Sequence, residues 1–383
     1  MRFFLVAFFL IYGSMHFYAI MKARCAFGFG PLSTILLTFF IITMLFAPII
    51  VRMSEKVGLD KFAIVMAYVG YFWFGLFFLF FCASVLFDIW RLVVYLIGLT
   101  AGKDLSPITG AFRLYFYIAV LCAMSIACYG FFEAECIKTE RIVIHTDKLP
   151  RGMNSLRIVQ ISDVHLGLIV REERLRKIIY EIKKAKPDML VSTGDLFDGQ
   201  TDSMNSLARL FMEVEPRFGK FAITGNHEFY AGISNFISFA LESGFKVLRG
   251  DAVTIEGAIN VAGVDDITGI HFHQYETVEE KRLLGGLDRD RFTLLLKHRP
   301  VIDKSALGLF DLQLSGHTHK GQIYPFYYIV RMVFPFTAGY YDLGGNSRLY
   351  VSRGTGIWGP PIRFMSPPEV TLIELRSGVN IPE

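Results

Sequence analysis

Leu156-Arg157-Ile158-Val159-Gln160-Ile161-Ser162-Asp163-Val164-His165 is the stretch on which the fold turns. Its first six residues carry a compact β-branched strand pattern, and they run directly into an Asp-x-His pair, which places Asp163 and His165 on the turn at a strand's end. The same arrangement recurs downstream. Leu175, Ile178, Ile179 and Ile182 fall at helical spacing among charged residues over 171–186, and Lys186-Pro187 stops that helix. A second strand, 188–192, leads into Thr193-Gly194-Asp195. A helical stretch from about 203 to 214 then precedes a third strand, 220–224, which ends at Gly225-Asn226-His227-Glu228. Strand, polar turn and helix in repetition predict an α/β core whose functional groups gather at the C-terminal ends of strands. Further strands are expected at 253–255, 260–264, 292–297, 312–314, 348–352 and 370–375. Two of them deliver His298 and the turn Gly316-His317-Thr318-His319.

Upstream of this core the chain changes character. Residues 3–21, 31–51, 62–87 and 112–132 are each long and apolar enough to cross a bilayer as a helix, so residues 1–136 are expected to form a transmembrane region of about four spans. Leu92 to Leu99 is too short for a fifth span and reads as an interfacial or re-entrant continuation of the third. The first apolar run follows Arg2, but it is too long for a secretory signal and lacks a clean small-x-small site, so it is expected to be retained. Met21-Lys22-Ala23-Arg24 is too charged to make Cys25 a lipid-attachment site. Residues 137–154 form a linker running into a first strand over Ile142-Val143-Ile144, closed by Pro150-Arg151-Gly152, and residues 155–383 form the soluble domain.

Charge excludes one class of partner. Nine of the 39 basic and six of the 35 acidic residues lie at or before Cys136, which leaves the soluble part nearly balanced and without a nucleic-acid footprint. All five cysteines lie in or beside the apolar part, so any ligands in the soluble part are oxygen and nitrogen. With the N-terminus inside, Lys and Arg in the connections divide six inside against five outside, which sets the soluble domain on the cytoplasmic side as an expectation. The oligomeric state is not legible.

Eight side chains in five polar blocks carry the chemistry: Asp163, His165, Asp195, Asn226, His227, His298, His317 and His319. Carboxylate, amide and imidazole together suit a pair of hard-to-borderline divalent cations, and such pairs hydrolyse phosphate esters. Glycines beside Asp195, Asn226 and His317 let the backbone bend close to a metal. A lone Asp-x-His is weak, since structural histidines are commoner than ligands. Here five of the nine histidines fall in strand-ending blocks.

In this order and spacing the blocks resemble the calcineurin-like metallophosphoesterase superfamily over residues ~155 to 376. The tail from Leu349-Tyr350-Val351-Ser352-Arg353-Gly354 through Pro360-Pro361-Ile362-Arg363-Phe364 to Pro368-Glu369-Val370 resembles its membrane-anchored bacterial branch. The resemblance implies an αββα sandwich joined to the N-terminal helical bundle, in an integral protein of the bacterial cell membrane. It also implies two divalent ions (Mn, Fe, Zn or Co). Asp163, His165 and His319 would bind one, Asn226, His298 and His317 the other, and Asp195 would bridge them and hold the shared hydroxide that attacks phosphorus. His227 becomes the general acid, with Glu228 as its orienting partner and Asp198 as a candidate to orient a neighbouring ligand.

Two features bear on substrate. Protein Ser/Thr phosphatases of the superfamily carry an Arg just after the second block, where this chain reads Gly194-Asp195-Leu196-Phe197-Asp198-Gly199-Gln200, so a phosphoprotein substrate is disfavoured. Gln322 to Phe336 is strongly apolar for a surface connection. It is expected either to pack against the core or to admit a lipid-linked phosphate from the bilayer. Relatives that cleave a nucleotide-sugar lipid pyrophosphate make lipid-linked and nucleotide-linked substrates the implied class. Arg353, Arg363 and Lys320, which stands where the branch usually has Gly, are candidates to contact the phosphoryl group. His271 and His273 lack a partner motif, and His16 is read as bonding a neighbouring helix. The expected function is a membrane-anchored phosphodiesterase or pyrophosphatase. The alternative is a non-catalytic or regulatory module coupled to a membrane sensor or transporter, in which a missing ligand would be expected; none is missing.

Overall fold

A computed structural model of the chain describes residues 2–199, 204–275 and 278–378, and it divides into two compact units. The first holds the chain to residue 132 together with 359–364. Its helices are α1 (Arg2–Phe27), α2 (Pro31–Leu45), α3 (Ala47–Lys56), α4 (Asp60–Ala101), α5 (Ser106–Thr109) and α6 (Phe112–Glu135), the last running three residues past the unit boundary. Val6–Phe27, α4 and α6 are each long and apolar enough to cross a membrane; α2 and α3, bent by 58°, make a fourth span if taken together. Leu32 and Phe39 of α2 stand about 70% exposed, so these helices leave large apolar side chains uncovered.

One expectation about this unit is revised. Leu92–Leu99 continues the third apolar run, as expected, but with no re-entrant turn: α4 runs unbroken for 42 residues, and Gly102 closes it in the left-handed region with φ 63°. No proline interrupts that stretch, so at 1.5 Å per residue the helix reaches roughly 60 Å, about twice a hydrocarbon core. The segment 359–364 packs among these helices. A Cβ on Gly75 would come within 2.7 Å of Ile362, and the Arg363 N–H donates to the Gly130 carbonyl at 2.9 Å. Inside the bundle His16 is stacked 3.9 Å from Phe77 and accepts from the Trp73 indole at 3.1 Å, so it is bonded to a neighbouring helix as expected.

Among the described residues the second unit contains twelve strands. β1 (Lys138–Thr146), β2 (Ser155–Ile161), β3 (Met189–Ser192), β4 (Lys220–Ala222) and β5 (Phe245–Val247) precede β6 (Asp251–Ile255), β7 (Ile259–Gly263), β8 (Phe292–Leu296), β9 (Leu312–Ser315), β10 (Gly339–Gly344), β11 (Ser347–Val351) and β12 (Glu369–Ser377). They form two six-stranded sheets, ordered β1-β12-β2-β3-β4-β5 and β10-β11-β9-β8-β7-β6. β2 through β5 are mutually parallel, as are β7, β8, β9 and β11. The strands read from sequence are present; β5 and β10 were not read, the first because three residues are too few to show a period.

Alternation explains the layers. Leu156 and Ile158 of β2 face the second sheet and join Val191, Ile223, Leu294, Leu296 and Leu314 in one buried cluster. Val159 and Ile161 face the other way, onto Leu175, Ile178 and Ile182 of α7 (Glu172–Ala185), with α8 (Met204–Met212) and α10 (Ile233–Glu242) completing that layer. Position 203, where the sequence starts α8, lies outside the described residues. Leu295 turns outward onto Leu284 of α11 (Glu280–Gly285). Helices, sheet, sheet and helix therefore stack as the αββα sandwich. Two short helices remain, α9 (Asn226–Ala231) and α12 (Tyr327–Val333), and both lie next to polar blocks.

Candidate metal centre

Five parallel strands, three from one sheet and two from the other, end at the polar blocks. β2 releases Asp163, β3 Asp195, β4 Asn226, β8 His298 and β9 His317. The turns are sharp enough that Asp163, His165, Asp195, His317, His319 and Lys320 all adopt positive φ, between 47° and 70°. Non-glycine residues rarely hold that conformation, and a group of them in one place marks backbone strained for a purpose. Close approach also requires glycine. At Gly194, φ 91°, a Cβ would lie 2.6 Å from the Gly225 nitrogen and 2.7 Å from the His298 ring.

Among the described residues the turns create two outer donor clusters and a third group shared between them. Asp163, His165 and His319 converge in one cluster and Asp195, His298 and His317 in the other, while His165 and Asp195 also meet His227; the ligand atoms of each group lie within 4.8 Å of one another. The His165 and His319 Nε2 atoms are 3.2 Å apart, and His319 Nε2 lies 3.4 Å from Asp163 Oδ1. In the second cluster His298 Nε2 is 3.1 Å from His317 Nδ1 and 3.3 Å from both Asn226 Oδ1 and Asp195 Oδ2. The same Asp195 Oδ2 is 3.8 Å from His165 Nε2 and thus faces both clusters.

The donors are locked from behind. His298 Nδ1–H donates to the Thr193 carbonyl at 2.8 Å, which turns its Nε2 lone pair into the cluster. His165 Nδ1–H donates to Asp198 at 2.7 Å with the same effect. Asp163 accepts the His317 N–H at 3.0 Å and the Ser162 hydroxyl at 2.5 Å; Asp195 Oδ1 accepts the His227 N–H at 2.9 Å. Lone pairs of nitrogen and oxygen aimed at one another within 3.1–3.4 Å repel unless something positive sits between them. A divalent cation fits this donor set, and a proton is the lesser substitute. Burial works against charge on His298, but Asp195 outweighs it and lifts the imidazolium to about 10. Burial and that neighbouring charge push His317 down to about 3.

His227 lies beside the clusters, part-buried, with its Nδ1 2.7 Å from Asp198 Oδ1. Burial disfavours its charge, yet Asp198 and Asp195 together hold it up at about 9. The expected role of Glu228 is corrected here. Its carboxylate accepts four backbone N–H groups, from Asp195, Leu196, Phe197 and Gly225 at 2.6–3.1 Å, and it ties the β3 turn to the start of α9 instead of orienting His227. Asp198 orients the imidazole, and it does so for His165 as well. The Asp-x-x-Asp spacing after Gly194 was visible in sequence; that one oxygen serves two rings was not.

The three candidate phosphate contacts, Arg353, Arg363 and Lys320, stand in different surroundings. Arg353 is committed to the first sheet, with Nη2 2.7 Å from Glu369 and also on Glu140 and Nε on the Pro367 carbonyl at 3.1 Å. Arg363 is fully buried and falls with the helical unit. Lys320 stays next to the clusters, and its ammonium makes no ion pair among the described residues. His271 and His273 are exposed and join neither cluster. Sequence reading missed the aromatic rim: the Trp358 and Tyr230 rings lie 5.9 and 5.5 Å from His227, and Phe334 lies 5.1 Å from His317.

Paired donor clusters at the ends of the parallel strands of two mixed sheets in an αββα sandwich define a metal-site class of α/β protein. The sequence profile of the Calcineurin-like phosphoesterase family matches residues 156–321. A metallophosphoesterase of Aquifex aeolicus, itself named as uncharacterized, is 38% identical over 265 residues, covering 69% of this chain and all of that one. A Danio rerio protein named as a transmembrane protein with a metallophosphoesterase domain is 30% identical over 293 residues, 73% of this chain and 67% of its own. Among solved structures a dimetal phosphatase from Danio rerio superposes with a TM-score of 0.36 at 15% identity, over 53% of this chain and 88% of that one. This chain belongs to the calcineurin-like phosphoesterase family.

Proposed function

We propose that the chain is a membrane-anchored, two-metal phosphoesterase that hydrolyses a phosphodiester or pyrophosphate bond in a lipid-linked or nucleotide-linked substrate. The observation that carries this reading is the position of Asp195 Oδ2, which faces the donors of both clusters. Asp163, His165 and His319 would hold one cation and Asn226, His298 and His317 the other, with Asp195 between them. Two divalent cations bound there would polarise phosphoryl oxygens and bring water within reach of ionisation near neutral pH. His227, with Nδ1 committed to Asp198, has Nε2 left to protonate the leaving oxygen. Asp198 keeps that imidazole charged and aligned. Lys320 is suited to contact a phosphate oxygen.

The lipid part of the proposal rests on α12. None of its residues is buried, Met332 is 86% exposed, and Tyr328, Ile329 and Val333 are more than half exposed, which favours an apolar partner over packing on the core. The test is hydrolysis by the full-length protein in detergent with Mn²⁺, offered an aryl phosphodiester, phospholipids and nucleotide-linked lipid pyrophosphates. Turnover of at least one diester or pyrophosphate is expected, with elemental analysis giving two metals per chain. No turnover with both sites loaded would sink the enzyme reading. Loss of preference for lipid over water-soluble esters in Ile329→Ser/Met332→Ser would support the role of α12, and unchanged preference would reject it.

A further inference from the structure

A second polar group lies within the helical unit. Tyr18 and Lys22 of α1 meet Asp88 and Arg91 of α4: the Tyr18 hydroxyl donates to Asp88 Oδ2 at 2.6 Å, Lys22 ion-pairs with Asp88 Oδ1, and Arg91 Nη1 lies 3.3 Å from the same oxygen. Arg91 also donates through Nε to the Thr109 carbonyl at 2.6 Å and stacks 4.2 Å from the Phe112 ring. Two cations thus share one carboxylate, which leaves an excess positive charge among apolar helices. Such a charge is costly unless something neutralises it. Beside the group is a small, partly open cleft lined by Lys22, Ser84, Phe87, Arg91, Phe112 and Phe116 among others. Lys22 has one carboxylate for three N–H donors, and Arg91 keeps its second terminal nitrogen for a further acceptor.

We propose that this cleft binds a phosphate-type oxyanion, with Lys22 and Arg91 taking its oxygens and the Phe87, Phe112 and Phe116 rings taking apolar substituents. Arg and Lys together are the usual partners of such oxygens, and the aromatic wall suits the glycerol and acyl portion of an anionic phospholipid. Asp88 then has two effects. It aligns both cations and competes with the ligand for them. That competition separates a binding site from an ion cluster that only joins helices. In a structural cluster, loss of Asp88 or of Arg91 weakens the bundle alike and leaves lipid binding unmoved. In a binding site the two changes act in opposite directions.

The experiment uses the full-length protein in dodecyl maltoside and native mass spectrometry to count bound phosphatidylglycerol against phosphatidylcholine, with inorganic phosphate as competitor. The expected result is a preference for phosphatidylglycerol that falls on the order of tenfold in Arg91→Gln and in Lys22→Gln and rises in the near-isosteric Asp88→Asn. Competition by millimolar phosphate would assign the site to the oxyanion itself; none would assign it to the lipid. Aryl-ester turnover should not change in any variant. Equal binding of both lipids, or weaker binding in Asp88→Asn, overturns the proposal. Should Arg91→Gln fail to fold, Lys22→Gln and Asp88→Asn still decide it.

Discussion

Each unit of this protein gathers ionisable side chains into a tight group, and the two groups have opposite shortages. At the sheet ends Asp163, Asp195 and Asp198 meet His165, His227, His298, His317 and His319, so lone pairs converge and a cation is wanted. In the helical unit Lys22 and Arg91 meet Asp88, and an anion is wanted. The means of support differ too. Asp163 and Asp195 are held by backbone N–H groups and His298 by a backbone carbonyl, on turns strained into positive φ. The charged ends of Lys22 and Arg91 are held largely by a carboxylate, a carbonyl and an aromatic face. A coordination sphere demands fixed geometry, whereas neutralising a headgroup demands only charge nearby.

Substitutions that keep the chemistry but move it should therefore ruin the first group and spare the second. The largest effect is expected for Asp195→Glu. One added methylene displaces the oxygen that faces both clusters, and turnover should fall by about 10³-fold or more, with metal content reduced on elemental analysis. Activity near wild type would mean that Asp195 does not lie between two cations. His227→Ala should cost next most, about 10²- to 10³-fold on an alkyl ester, with both metals retained. The loss should shrink with a p-nitrophenyl leaving group, which departs without a proton. An equal loss on both esters would remove His227 from the role of acid.

Much of the sheet unit was legible because its signals are local. A β-branched strand running into Asp-x-His or Gly-Asp needs only neighbouring residues, and so the strands, an α/β core and the convergent blocks could be read, while the αββα order was implied by the family resemblance. What escaped depends on long-range contact. Glu228 looks like a partner for the adjacent His227, yet its oxygens reach back 31 to 33 residues to the β3 turn. Arg353 resembles a phosphate binder in sequence, and its ion pair with Glu369, 16 residues on, shows only in the fold. In the helical unit apolar runs revealed candidate spans, but nothing in a run tells that α4 continues for 42 residues or that Lys22 meets a carboxylate 66 residues away.

Asp198 tests how far rear support matters. One of its oxygens is 2.7 Å from both His165 and His227, so Asp198→Asn should reduce metal affinity and turnover by about 10- to 100-fold each. The sign of its pH signature follows from His227, whose value in the metal-free protein is raised to about 9 despite burial because Asp198 and Asp195 face it. A raised value means that the pair's contribution to stability is fully present below the ordinary imidazole range, near ~6.5, and is lost as pH rises through about 9. NMR titration of the metal-free protein should show the His227 resonance moving near pH 9, and moving well below that in Asp198→Asn. An unchanged midpoint would show that Asp198 does not hold the proton.

The smallest effect should come from the cleft, and its smallness is the informative part. Lys22 is a point charge with one carboxylate partner, so Lys22→Arg keeps the charge and changes only its shape. Phosphatidylglycerol binding should stay within about threefold of wild type, since a screened, partly exposed pair contributes through charge more than through contact geometry. A loss as deep as that of Lys22→Gln would show that the cleft requires fixed geometry after all. It would then share the design of the sheet-end clusters, and the distinction between a site built on position and one built on charge would fail.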